Sequence, residues 1–289
     1  MRNTARYLVL GGLSLAACAD PGSTPTTNPA GGASHDRAGY DQAGAHRQYG
    51  APVNVGQGRA RTYVVLDEKN GSAPLEIGVA LDERALDGLP AGMAGAAPAD
   101  AGKPMSMGND FILPLPTHNP TPYQLVVLNW NPNGHEPPQL YGLPHFDFHF
   151  YTIDNATRMS IVPSNPAYAA KAANFPGAKM PPGYFPPPAP PALAAVPMMG
   201  LHWTDPTSPE FSPAGFSRTF IYGSWDGEVI FAEPMITRAF LLTQPDILLD
   251  LPVPTQFATP GYYPAAYRVV FDAQAGEYRV ALAKLTWRS

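Results

Sequence analysis

The alternation of apolar and polar positions marks out short strands along most of the chain. Thr62-Tyr63-Val64-Val65-Leu66 and Leu75-Glu76-Ile77-Gly78-Val79-Ala80-Leu81 read as paired strands, with the turn dipeptide Asn70-Gly71 between them. Tyr123 to Trp130 is almost continuously apolar, which predicts burial on both faces. Residues 145–153 alternate most cleanly of all. Ser217–Ser224 and Glu228–Glu233 frame Asp226-Gly227, a strong hairpin signal, and Ala266–Asp272 and Glu277–Trp287 form a closing hairpin around Ala273–Gly276. Helical signals are few. Asn165–Asn174 has an N-cap in Asn165 and Pro166 at N1, and Thr237–Thr243 adds a helical turn. Residues 88–109 are Gly-, Ala-, Met- and Pro-rich and read as a loop. Pro176 to Pro197 holds nine prolines and predicts an extended surface segment able to cover a neighbouring site. Roughly eight to ten short strands with such connections predict one all-β domain over residues 60–289: a single antiparallel β-barrel or sandwich with long Pro-rich loops and one or two short helices.

Composition narrows this picture. Of 289 residues 36 are Pro and only 14% are charged, against about 25% charged in an ordinary soluble domain, so long helices are excluded. The net charge of −5 lacks the basic face that nucleic-acid phosphates need, so no nucleic-acid partner is expected.

The first eighteen residues carry an address. Arg2 and Arg6 precede an apolar run, Tyr7 to Leu15, too short to span a bilayer, and Leu15-Ala16-Ala17-Cys18 resembles a bacterial lipobox. Residues 1–17 are therefore expected to be a lipoprotein signal peptide and Cys18, the only cysteine, the lipidated residue. Residues 18–59, poor in aliphatic side chains, are expected to be a disordered tether. The expected location is the periplasmic side of a bacterial cell envelope, the outer membrane ahead of the inner.

One segment carries candidate chemistry. In Pro144-His145-Phe146-Asp147-Phe148-His149-Phe150-Tyr151, strand alternation puts His145, Asp147, His149 and Tyr151 on one face and the three phenylalanines on the other, as core. The polar face admits three readings: exposure to water, metal coordination in a barrel interior, or a buried His–Asp hydrogen-bonded network without metal. Same-face neighbours stand about 6.6 Å apart and His145 and His149 about 13 Å apart, so those two share one ion only across a bulge or bend. Further ligands are expected from His202, just after the Pro-rich segment, and from Glu233. With a two-residue turn at Asp226-Gly227, Phe220 faces Glu233 and Tyr222 faces Phe231. Glu233 then shares a face with Val229, Phe231, Phe220 and Tyr222, where an acid is costly unless paired or bound to a cation; its other reading is a cap for the turn at Thr237. His135, in Gly134-His135-Glu136-Pro137, reads equally well as part of an exposed loop. His, Asp and Glu without Cys suit Zn, Mn, Fe or Ni. No Gly-x-Ser-x-Gly elbow and no phosphate-binding loop are present.

Gly134-His135 with Pro137, Pro144 to Tyr151, Met199-Gly200-Leu201-His202-Trp203, and Ile221-Tyr222-Gly223 through Phe231 to Thr237 resemble an uncharacterised bacterial family of secreted or lipid-anchored β-barrel proteins. The resemblance spans about residues 120–245; the Pro181–Pro191 expansion departs from it. It implies that these positions form one site, implies a homo-oligomeric barrel, and implies no activity. The functional expectation is thus a lipid-anchored barrel with a divalent-metal site of His145, Asp147, His149, His202 and Glu233, open to catalysis. The competing expectation is a non-enzymatic ligand-binding or oligomeric structural barrel with a buried His–Asp network.

Overall fold

A computed structural model describes residues 45–91 and 109–289. Along the chain run β1 (Ala45–Tyr49), β2 (Val53–Val55), β3 (Gly58–Asp67), β4 (Ala73–Asp82), β5 (Asp110–Leu113), β6 (Leu125–Asn131), β7 (His145–Tyr151) and β8 (Leu201–Trp203). They are followed by β9 (Arg218–Trp225), β10 (Glu228–Thr237), β11 (Asp246–Asp250), β12 (Gly261–Tyr263), β13 (Ala266–Asp272), β14 (Glu277–Ala283) and β15 (Thr286–Arg288). Short helices α1 (Pro138–Tyr141), α2 (Asn155–Met159), α3 (Tyr168–Ala173), α4 (Pro191–Ala194) and α5 (Arg238–Leu241) interrupt them. One antiparallel sheet has the order β1-β3-β4-β14-β13-β11, with β2 also on β3; the second has the order β5-β6-β7-β10-β9-β8; β12 and β15 pair separately. The architecture is sandwich-like, so the barrel half of the expectation gives way to two open sheets.

A core of side chains from both sheets joins them. Phe146, Phe148 and Phe150 of β7 meet Val126, Leu128, Phe220 and Ile236 of their own sheet and Val64, Ile77, Val79, Val280 and Leu282 of the other. The aromatic face read from the sequence is the core face. Its polar face therefore looks away from the sandwich interior, where the metal reading had placed it.

Three local expectations change. Residues 45–59, read as tether, carry strands β1 and β2, which add to the edge of β3 by main-chain pairing; a polar edge strand such as Ala-His-Arg-Gln-Tyr gains ladder hydrogen bonds without an apolar signature. The signal segment, Cys18 and the tether up to residue 44 lie outside the described residues. The helix expected from Asn165 starts later, at Tyr168. Asn165 accepts from Ala167 N through its side chain (3.0 Å) and from Tyr168 N through its carbonyl (2.9 Å), forming a lead-in turn rather than the cap. The Pro-rich segment includes two helical turns, a 3-10 turn at Gly177–Lys179 and α4, the latter entered at Pro191, where a missing N–H costs nothing. The turn at Thr237 forms as expected, with the threonine hydroxyl accepting from Phe240 N at 3.1 Å.

The hairpin register matters most. Asp226 and Gly227 make the two-residue turn with φ of 52° and 81°, and Glu228 pairs with Trp225 as expected. Between Val229 and Phe231 the register slips, leaving Ile230 as an extra residue. Phe231 then faces Gly223 and Glu233 faces Ile221, instead of Tyr222 and Phe220. Because side chains alternate, that one-residue slip moves Glu233 from the aromatic core to the opposite face.

Candidate metal centre

On the outer face of the second sheet, cross-strand pairing stacks polar residues in rungs. Asn131, His145 and Thr237 share one rung; Asn129, Asp147, Met235 and Thr219 share the next. His149 lies beside Val127, and Tyr151 lies beside Leu125 and Phe231, whose neighbour Gly223 pairs with His202 of β8. The bulge in β10 brings Glu233 up to His149, with Nε2 and Oε1 3.3 Å apart. None of this face is wet at β7: His145, Asp147 and His149 are all buried. Tyr141, Phe216, Ile221 and Met235 cover one end, and Ile161, Tyr168, Ala195, Met199 and Trp225 pack over the other with Tyr151 and Phe231. Residues from α3 and from the end of the Pro-rich segment thus form part of the roof.

The five expected ligands fall into two clusters. In the first, His145 Nε2 lies 3.1 Å from Asp147 Oδ1, and His135 Nε2 lies 3.8 Å from Asp147 Oδ2. His135, the weaker candidate, was not one of the five expected ligands. It is brought over β7 by a loop that turns sharply at Gly134 (φ 68°), where a Cβ would sit 2.1 Å from the Tyr141 carbonyl oxygen; His135 N donates to that same carbonyl. Its only sequence signal was a histidine beside a Gly and a Pro, which is also how a surface loop reads. The second cluster joins His149, Glu233 and His202, whose Nε2 is 3.7 Å from Glu233 Oε2. Within each cluster one ligand atom per residue lies within 4.8 Å of the others.

The tautomers make the first cluster informative. His145 Nδ1 is 2.6 Å from the Leu143 carbonyl oxygen and His135 Nδ1 is 2.8 Å from the Glu136 carbonyl oxygen. A carbonyl only accepts, so both Nδ1 atoms carry a proton, and each Nε2, facing the Asp147 carboxylate, is left to hold a second proton or to ligate a cation. Lone pair against lone pair is repulsive unless a cation lies between them. His145 Nε2 and Asp147 Oδ1 are close enough for charge contact, yet neither is in a hydrogen bond of acceptable geometry. Asn131 Nδ2 donates to Asp147 Oδ2 at 2.7 Å and orients the carboxylate.

No protein-family model, no curated protein and no solved structure matches the chain. The site must speak through its own chemistry.

Five buried ligand atoms lack a hydrogen-bond partner: His145 Nε2, Asp147 Oδ1, both ring nitrogens of His149, and Glu233 Oε2. Each such atom costs about 1–3 kcal/mol when nothing satisfies it. Geometry fits a small cation. Two ligands of a tetrahedral ion at about 2.1 Å stand about 3.4 Å apart, and the imidazole–carboxylate separations of 3.1, 3.3, 3.7 and 3.8 Å straddle that value. The rings that must close in furthest, His135 and His202, are the partly exposed ones, at 23% and 20%.

Electrostatics agrees. Burial alone would raise the Asp147 carboxyl, but positive charge at the facing rings, at His145 first and then at His135 and His149, holds it below the usual carboxylate range, so a cation at that spot keeps this carboxylate ionised. Burial pushes His149 down to about 3 and His202 down to about 4, and lowers His135, so these rings stay neutral and able to ligate. Burial, and next the charge of Asp147, push Glu233 well above the usual range.

Proposed function

We propose that the chain is a divalent-metal protein whose ion sits among His135, His145 and Asp147, carried on a lipid-anchored envelope protein. The observation that carries the reading is the pair of imidazoles that rest Nδ1 on backbone carbonyls and aim Nε2 at one buried carboxylate. Backbone carbonyls behind both histidines and Asn131 behind Asp147 are the kind of outer partners that fix metal ligands. Two imidazoles and one carboxylate suit Zn, Mn, Fe or Ni. Three protein ligands leave a position for a fourth, oxygen-bearing ligand, to which a bound ion supplies Lewis acidity. The Leu15-Ala16-Ala17-Cys18 run supports anchoring through Cys18, on the periplasmic side of the envelope.

The test is elemental analysis of full-length protein purified without an immobilised-nickel step, stripped with chelator and reloaded with Zn. The native chain is expected to retain metal after desalting, and Asp147→Asn to lose it from this cluster. Metal-free native protein after reloading would contradict the reading. Asn131→Ala is expected to leave the fold intact and weaken Zn binding about 10- to 100-fold, the usual penalty for removing an outer-shell partner; competition with a chromogenic chelator measures it.

A further inference from the structure

We infer that His149, His202 and Glu233 form a second, separate divalent-ion site, so that the chain holds two ions rather than one shared among all the ligands. The inference rests on the metal reading above for its chemistry, but on different residues. β7 runs without a bulge through all seven of its pairings with β6, so nothing bends His149 back towards His145. Four residues of strand separate those two α-carbons by about 13 Å, and on an unbent strand their side chains stand side by side instead of converging on one ion. Each histidine instead has its own carboxylate: Asp147 for His145, and Glu233 for His149.

The second cluster has independent marks of a ligand site. His149 is fully buried, and both of its ring nitrogens lack a hydrogen bond. A neutral imidazole placed only for packing would not leave both unsatisfied beside a buried carboxyl oxygen that is also unsatisfied. Aromatic packing fixes the rings where hydrogen bonds do not. Phe231 lies edge-on to His149 at 4.9 Å and to His202 at 5.3 Å, and Tyr151 stacks on His149 at 5.5 Å. Phe231 can sit there because Gly223 stands opposite it; a Cβ at 223 would lie 1.9 Å from its ring. The β10 bulge, which turns Glu233 out of the core, completes the set. His202 is its solvent-facing member, so exchange of the ion and of an oxygen-bearing fourth ligand takes place on that side. The ligand class is a borderline first-row divalent ion; the probe is Zn(II), with Co(II) for spectroscopy.

The experiment counts Zn per chain in the full-length native protein, in Glu233→Gln, in His202→Ala and in Asp147→Asn, with circular dichroism to show that each variant folds. Two ions are expected for the native chain and one for each variant, and the Co(II) visible spectra of Glu233→Gln and Asp147→Asn should sum to that of the native protein. One ion in the native chain, kept by Glu233→Gln and lost by Asp147→Asn, overturns the second site while leaving the first. One ion lost in both variants overturns the separation, because a single shared ion then uses both carboxylates. No ion in the native chain overturns both readings.

Discussion

Metal-stripped Glu233→Gln protein should be more stable than metal-stripped native protein at neutral pH, and its advantage should grow with pH. Glu233 is buried, and its folded-state pKa is raised above the ordinary 4.5 by burial and then by Asp147. For a carboxyl with a raised folded pKa, the stabilising contribution is complete below about pH 4.5 and is lost as pH climbs towards the folded value. Over that window the native protein loses about 1.4 kcal/mol for each pH unit, whereas the glutamine variant, with nothing to ionise at 233, loses none on this account. His149 at about 3 and His202 at about 4 act in the opposite sense, removing stability as pH falls below 6.5, but they are common to both chains and cancel in the comparison. Urea unfolding at pH 5, 6.5 and 8 in the presence of chelator measures the difference. Saturating Zn should shrink or reverse it, since an ion that binds only the folded native site adds about 2.7 kcal/mol at a hundred times its dissociation constant. Parallel pH profiles for the two chains would mean that Glu233 is not held protonated by its surroundings.

Gly223→Ala should cost about 3 kcal/mol, the upper end of what overpacking a rigid interior does. The added methyl would lie 1.9 and 2.1 Å from Phe231 Cε1 and Cζ, and Phe231 is only 1% exposed, with His149, His202 and Tyr151 against its ring. The ring is packed against both imidazoles, so loss of the second ion should accompany the loss of stability. Phe231→Leu removes the colliding atoms, and in that background Gly223→Ala should cost less than about 1 kcal/mol, a coupling that a double-mutant cycle by urea denaturation reports. Equal costs in both backgrounds would show that the glycine is needed for some reason other than Phe231.

Much of this arrangement could be read from the residues because a strand's side chains alternate strictly. Phe146, Phe148 and Phe150 had to lie opposite His145, Asp147 and His149, and the core bears this out. Asp226-Gly227 located its hairpin for a similar reason, since a two-residue turn with positive φ demands those residues. What alternation cannot carry is a single inserted residue. The bulge at Ile230 leaves the run Val229 to Glu233 looking like regular strand, so Glu233 was placed among Phe220 and Tyr222 when it belongs beside His149. His135 was hidden differently. Its position depends on a contact with Tyr141 at the far side of a turn, and local sequence does not encode that contact. The edge strand β1 escaped notice because main-chain pairing holds it on β3 with only Ala45 and Tyr49 packed on the apolar cluster around Tyr63, too few to give an apolar pattern.

On the proposed function, buried imidazole and carboxylate atoms converge here to hold a cation. Anomalous diffraction above the zinc edge, from crystals of the reloaded protein, tests it most directly. A peak is expected about 2.1 Å from Nε2 of His145 and His135 and from an Asp147 oxygen. Data in which those three side chains instead surround an ordered water or one another, with zinc bound only elsewhere, would contradict it.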